Sequence, residues 1–231
     1  MRLIKAMVPA VILIALMAAF GVWAHFRLPD APIATHFDAR WRANGWMGSD
    51  MALAWPVGFS TILIAVLTAL PFLLPPKGAL ERSAPAYGAV CAAVVGLIAV
   101  AQVAIVGRAL HWPVQTSQLV TAAVGLMVLV MGNYLSKVRY NLVMGIRTPW
   151  TLANETVWDR THRMAAPLFV MGGVFILVTG LLASPRDALT VVLIGALVPA
   201  LSASVYSWWL WSRLPDADKG RMDILRKGPQ A

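Results

Sequence analysis

The chain has 231 residues, of which 59% are hydrophobic and 13% charged, with 19 Lys and Arg against 10 Asp and Glu. An average soluble domain is about 45–50% apolar and about 25% charged, so a soluble globular enzyme is a poor fit and disorder is excluded. In a soluble protein the net charge of +9 would suggest nucleic acid; in a membrane chain it reports basic loops held on the cytoplasmic side. No direct nucleic-acid contact is expected.

A bilayer-spanning helix needs about 20 largely apolar residues. Six charge-free stretches meet that need, and none is long enough for two helices and a turn. Trimmed at turn residues, they predict spans at 6–24, 51–74, 87–106, 118–136, 164–183 and 189–211. The expected fold is therefore all-α: a polytopic integral membrane protein with six transmembrane helices. The first span has a competing reading, because the basic start and Val22-Trp23-Ala24 also resemble a signal peptide. Trp23 and the length of the run favour the span.

The first loop runs over 28–49. Pro29 and Pro32 favour an extended lead-in, and Thr35 and Phe37 alternate with their neighbours as in a short strand. Asn44-Gly45 is a tight-turn signal. His36 and Asp38 would share one face of the strand. They either hydrogen-bond to each other or offer two ligands to a substrate, too few for a convincing metal site.

Cys91 is the one cysteine and reads as a small buried residue. No Asp, Glu, Lys or Arg falls in a span core, and Gln102 is the main polar group there. That disfavours an ion-coupled carrier. In the last two spans Gly172, Gly173, Gly180, Gly195, Ser202 and Ala203 permit close helix approach, within the bundle or across a dimer face. Pro167 and Pro199 suggest kinks, and Trp208, Trp209 and Trp211 an interfacial belt.

The second loop runs over 132–163. Thr148-Pro149 is a helix start, with Thr as N-cap and Pro at the first helical position, and Asn154 offers another before Glu155. Glu155, Asp159 and His162 then share a helical face. They could act as acid and base at the membrane surface, or hold a metal. The plainer alternative pairs Asp159 with Arg163 and leaves His162 to cap or pack. Trp150 and Trp158 are expected at the lipid–water interface beside Arg147, Arg160 and Arg163, anchoring the loop on anionic headgroups.

Placing both termini, the 75–82 connector and the second loop on one side puts 14 of the 19 Lys and Arg there; the other side keeps Arg27, Arg40, Arg42, Arg108 and Arg186. The positive-inside rule then predicts both termini in the cytoplasm.

The second loop resembles the signature of the SdpI family, membrane proteins of the toxin-immunity type. The residues that carry the likeness are Gly132, Asn133, Tyr134, Lys137 and Asn141, the run from Gly145 through Ile146, Arg147, Thr148, Pro149, Trp150 and Thr151 to Leu152, and Glu155, Trp158, Thr161, His162 and Arg163. The first loop resembles the small extracytoplasmic region known as DUF1648 through Pro32, Thr35, His36, Phe37, Gly45, Trp46, Gly48 and Ser49, with Asp38 where that pattern often has Asn. The resemblance divides the chain into a DUF1648-like region at 1–75, an SdpI-like four-helix region at 87–212 and a basic cytoplasmic tail at 213–231. It implies a multi-pass protein of the bacterial cytoplasmic membrane that protects against, or senses, an extracytoplasmic toxic peptide and engages a cytoplasmic transcriptional repressor. Thr35, His36, Asp38, Gly45 and Trp46 would meet the peptide. Neither a cofactor nor a resident metal is implied, and no catalytic residue. Two further readings are an interfacial enzyme using Glu155, Asp159 and His162, and a small-solute permease.

Overall fold

The computed structural model describes residues 2–73, 79–182, 184–215 and 219. Lys77, Arg221, Arg226 and Lys227 of the charge count, the expected span ends at 74 and 183, and most of the expected tail lie outside the described residues. Among those described, six helices are long and apolar enough to cross a membrane. A short helix α1 (Arg2–Ala6) leads into the first of them, α2 (Val8–His25). A hairpin of β1 (Ile33–Phe37) and β2 (Ala43–Met47) follows. Then come α3 (Ser49–Leu73), α4 (Ala84–Ala109) and α5 (Thr116–Leu135). A one-turn helix α6 (Pro149–Ala153) precedes α7 (Glu155–Leu182) and α8 (Ala188–Ser212). The fold is that of an all-α polytopic membrane protein, with the hairpin as its only described sheet.

The helices form two groups that meet where α4 packs on α5. In the first group α2, α3 and α4 surround Gln102, which is fully buried. Its amide donates to the backbone carbonyls of Met17 on α2 and Leu53 on α3, at 3.4 and 3.3 Å. One polar side chain thus ties three helices, where a lone amide in hydrocarbon would otherwise be costly. The second group is α5, α7 and α8, and α5 against α7 is the most extensive pairing in the molecule. Its cause is absent side chains. A Cβ on Gly132 would lie 2.6 Å from the Val170 nitrogen, and one on Gly173 would lie 2.6 Å from the Cα of Leu129. Gly172 and Gly195 make the same backbone approach between α7 and α8. The expected small-residue contacts are therefore internal to the bundle. Pro167 and Pro199 lie inside α7 and α8.

Two element boundaries differ from expectation. The helix that Asn154 starts, as its cap signal predicts, runs on without a break into the span expected from 164, so α7 begins at Glu155; the Asn154 side-chain oxygen accepts from the amides of Thr156 and Val157 at 2.8 and 3.1 Å. Its first turns bury Val157, Trp158, Thr161 and His162 while Glu155, Arg160 and Arg163 stay exposed. The other correction concerns the hairpin. Asn44 and Gly45 lie inside β2, and the chain reverses over 38–42 instead.

Candidate functional site

The two loops gather at opposite ends of the bundle. At one end, β1 and β2 are antiparallel with His36 opposite Gly45 and Ala34 opposite Trp46. The reversal is built by Asp38. Its Oδ1 accepts from the amides of Arg40 and Arg42 at 2.8 and 2.9 Å, and the Arg42 carbonyl accepts from the Asp38 amide. Those amide hydrogen bonds, the one from Arg42 foremost, hold the Asp38 carboxyl below the usual carboxylate range. A carboxylate with this role outcompetes the Asn-Gly signal, because it satisfies two turn amides at once. The expected His36–Asp38 pair does not form. Asp38 lies past the strand, and the His36 Nδ1 faces the Thr35 hydroxyl at 3.2 Å instead.

The exposed residues of the two strands are His36, Asn44 and Trp46, the last 61% exposed. Gly45 leaves room for the His36 side chain, since a Cβ there would come within 3.0 Å of the His36 Cβ. On the bundle side Phe37 lies under the guanidinium of Arg108, 5.2 Å from its ring centre. The hairpin base is closed by His25 at the end of α2 and Asp50 at the start of α3, with Nδ1 and Oδ1 2.7 Å apart. Nothing in the sequence pairs those two; only the fold brings them together.

At the other end, residues 136–154 form a folded lid over the start of α7. Trp158 is its floor. The ring is fully buried, its Nε1 donates to the Val138 carbonyl at 3.0 Å, and it stacks on His162 with 4.1 Å between ring centres. The expectation of an interfacial Trp158 is thus overturned: a buried carbonyl and an imidazole face give the indole a better site than headgroups do. Trp150 is half-buried. Both nitrogens of His162 are occupied, one by the Trp158 carbonyl at 2.8 Å and one by the Ile146 amide at 3.0 Å. The amide must donate, so Nε2 carries no proton and Nδ1 donates to the carbonyl.

Around this floor the other expected residues take structural positions. The Asn141 oxygen accepts from the amides of Val143 and Met144, and its nitrogen donates to the Arg139 carbonyl. Gly145 adopts φ +114, and a Cβ there would lie 2.6 Å from the His162 Nε2. The Arg147 guanidinium donates to the Leu142 carbonyl at 2.9 Å. Thr148 caps α6 in a reciprocal capping box with Thr151, and Pro149 takes the first helical position as expected. The Tyr140 hydroxyl donates to the Leu152 carbonyl. Two ties leave the lid: the Arg139 amide donates to the Ser83 hydroxyl at 2.9 Å, and the hydroxyls of Thr148 and Ser207 on α8 lie 3.0 Å apart.

Glu155, Asp159 and His162 do not form a working face. Glu155 is exposed, Asp159 half-buried and His162 buried with its ring nitrogens engaged. Among the described residues no ion pair joins Asp159 to Arg163, and no three His, Cys, Asp or Glu side chains converge as a metal site. Asn133, Lys137, Arg147, Arg160 and Arg163 are exposed, with the Lys137 ammonium 4.7 Å from the Tyr134 ring centre. The lid's outer surface is therefore basic.

Residues 137–207 match the model of the SdpI/YfhL protein family. The segment covers the lid, all of α7 and most of α8, and excludes the hairpin. The immunity protein SdpI of Bacillus subtilis (strain 168) is 35% identical over 69 residues, 30% of this chain and 33% of that protein. The chain matches only about a third of the length of this curated relative. No solved structure matches the chain.

Proposed function

We propose that this is an immunity-type membrane receptor, which protects against or senses a toxic peptide outside the cell. The observation that carries the reading is the match over 137–207, because it falls on the lid and the helices that hold it. The lid's interior is closed by backbone-directed hydrogen bonds, and its exposed side is basic. Such a surface suits contact with a cytoplasmic partner or anionic headgroups more than it suits chemistry. The charge bias supports placing the lid and both termini in the cytoplasm of a bacterial cell and the hairpin outside. There His36, Asn44 and Trp46 meet the peptide, supported by Thr35, Asp38 and Gly45. The likeness of the hairpin region to DUF1648 belongs to the same proposal.

Binding outside can alter the lid only if the peptide holds two states of the bundle with different affinity. A cytoplasmic transcriptional repressor is the partner such a switch would serve. The test is survival: the protein is expressed in a strain sensitive to a secreted toxic peptide, with Trp46→Ala and Arg147→Gln beside it. Protection by the parent chain and its loss in Trp46→Ala is the expected result. No protection against any peptide of a broad panel would refute the immunity reading.

A further inference from the structure

A second feature lies at the hairpin end of the bundle. A cavity of about 580 Å³ opens between the hairpin reversal, the connector from α4 to α5 and the connector from α7 to α8. Its size lies in the roughly 300–1,000 Å³ range of small-ligand sites. Arg40 and Arg108 line it, with the rings of Trp41 and Trp112, and no Asp or Glu does. Among the described residues neither arginine has a salt bridge. Thr116 and Ser117 also line it, 8% and 5% exposed, and neither hydroxyl has a hydrogen-bond partner among the described residues. They open α5, whose N-cap Gln115 makes no side-chain cap. Uncapped first-turn amides and a helix dipole therefore point positive at the same space.

We propose that this cavity binds the carboxylate end of an extracytoplasmic peptide. The carboxylate takes the Thr116 and Ser117 hydroxyls and the α5 amides, with Arg40 and Arg108 supplying charge, and Trp41 and Trp112 hold the apolar residue that precedes it. Three connectors wall the space, so it is a well in the protein end rather than a groove along the lipid face. That favours a ligand arriving from water over a membrane headgroup. The proposal rests on the receptor reading in placing this end outside, and it names the chemistry that reading leaves open.

The test uses the full chain in phosphatidylcholine nanodiscs, titrated by calorimetry with N-acetyl-Ala-Leu-Leu bearing a free C-terminal carboxylate and with its C-terminal amide. The acid is expected to bind about tenfold or more tightly than the amide, and the difference to shrink with added salt. Thr116→Val and Arg40→Gln are expected to weaken the acid severalfold and leave the amide unchanged; neither residue holds the hairpin together, unlike Arg108 over Phe37. Equal binding of acid and amide, binding of neither, or Arg40-dependent retention of phosphatidylglycerol without peptide binding would overturn the proposal. Survival is scored separately. Acid–amide discrimination without protection keeps the site and removes the immunity reading. Protection without discrimination removes only the site.

Discussion

Gly145 concentrates the constraints on the lid. Its φ of +114 is open to glycine and strained for other residues, and a side chain would meet both His162 and Trp158. Gly145→Ala is expected to cost about 1–3 kcal/mol, read as a lower melting temperature in detergent and as proteolysis within 137–154. A substitution that left the lid protease-resistant would show that the Trp158–His162 floor does not depend on that approach. Asp38 has a different sensitivity. Its carboxyl titrates below the ordinary 3.8 in the folded chain, so its contribution is complete above that value and is lost as pH falls through the lower folded value. Protection of the Arg40 and Arg42 amides, taken relative to their intrinsic exchange rates at each pH, should therefore be high at neutral pH and lost once Asp38 is protonated. Asp38→Ala should lack the protection throughout. These roles were poorly legible in sequence. Asp38 read as a partner for His36 because strand periodicity was extended one step too far, and nothing local announces that a tryptophan between charged residues will be buried.

At the level of elements, the helices were legible, and so were the ends that carry cap residues, Thr148-Pro149 and Asn154. Gaps between charges mark the spans because an unpaired charge in hydrocarbon is costly. The same rule broke α7 in two, because its first turns carry charges: the Asn154 cap marked where the helix starts, and nothing marked that it continues into the span. The joint between α5 and α7 depends on backbone approach, so Gly173→Leu should prevent tight pairing. It is expected to lower the yield of folded protein sharply, measured by size-exclusion profile and melting temperature. Gln102→Leu is a milder case. The carbonyls it reaches belong to helices that already have their ladders, so the loss should be about 0.6–2 kcal/mol. If Gln102→Leu melted at or above the parent temperature, the three helices would be held by packing alone.

The whole molecule places the hairpin and the lid at opposite ends of one bundle, and the proposed topology puts the lid in the cytoplasm and the hairpin outside. Single cysteines introduced for Trp46 and for Arg147 test that assignment. In intact cells a membrane-impermeant maleimide should label the first and leave the second unlabelled until the membrane is opened. The buried Cys91 should stay unreacted in both. The segment that matches the family ends at Ser207, and Ser207 is the residue on α8 that meets the lid through Thr148. The helix α8 is 25 residues long, about 37 Å at 1.5 Å per residue, and its far end adjoins the connector at the hairpin end. One helix therefore reaches both ends of the bundle, held along its length by the Gly172–Gly195 approach to α7 and touching the lid where Ser207 meets Thr148, so whatever displaces α7 and α8 at the hairpin end is felt where the lid is fastened.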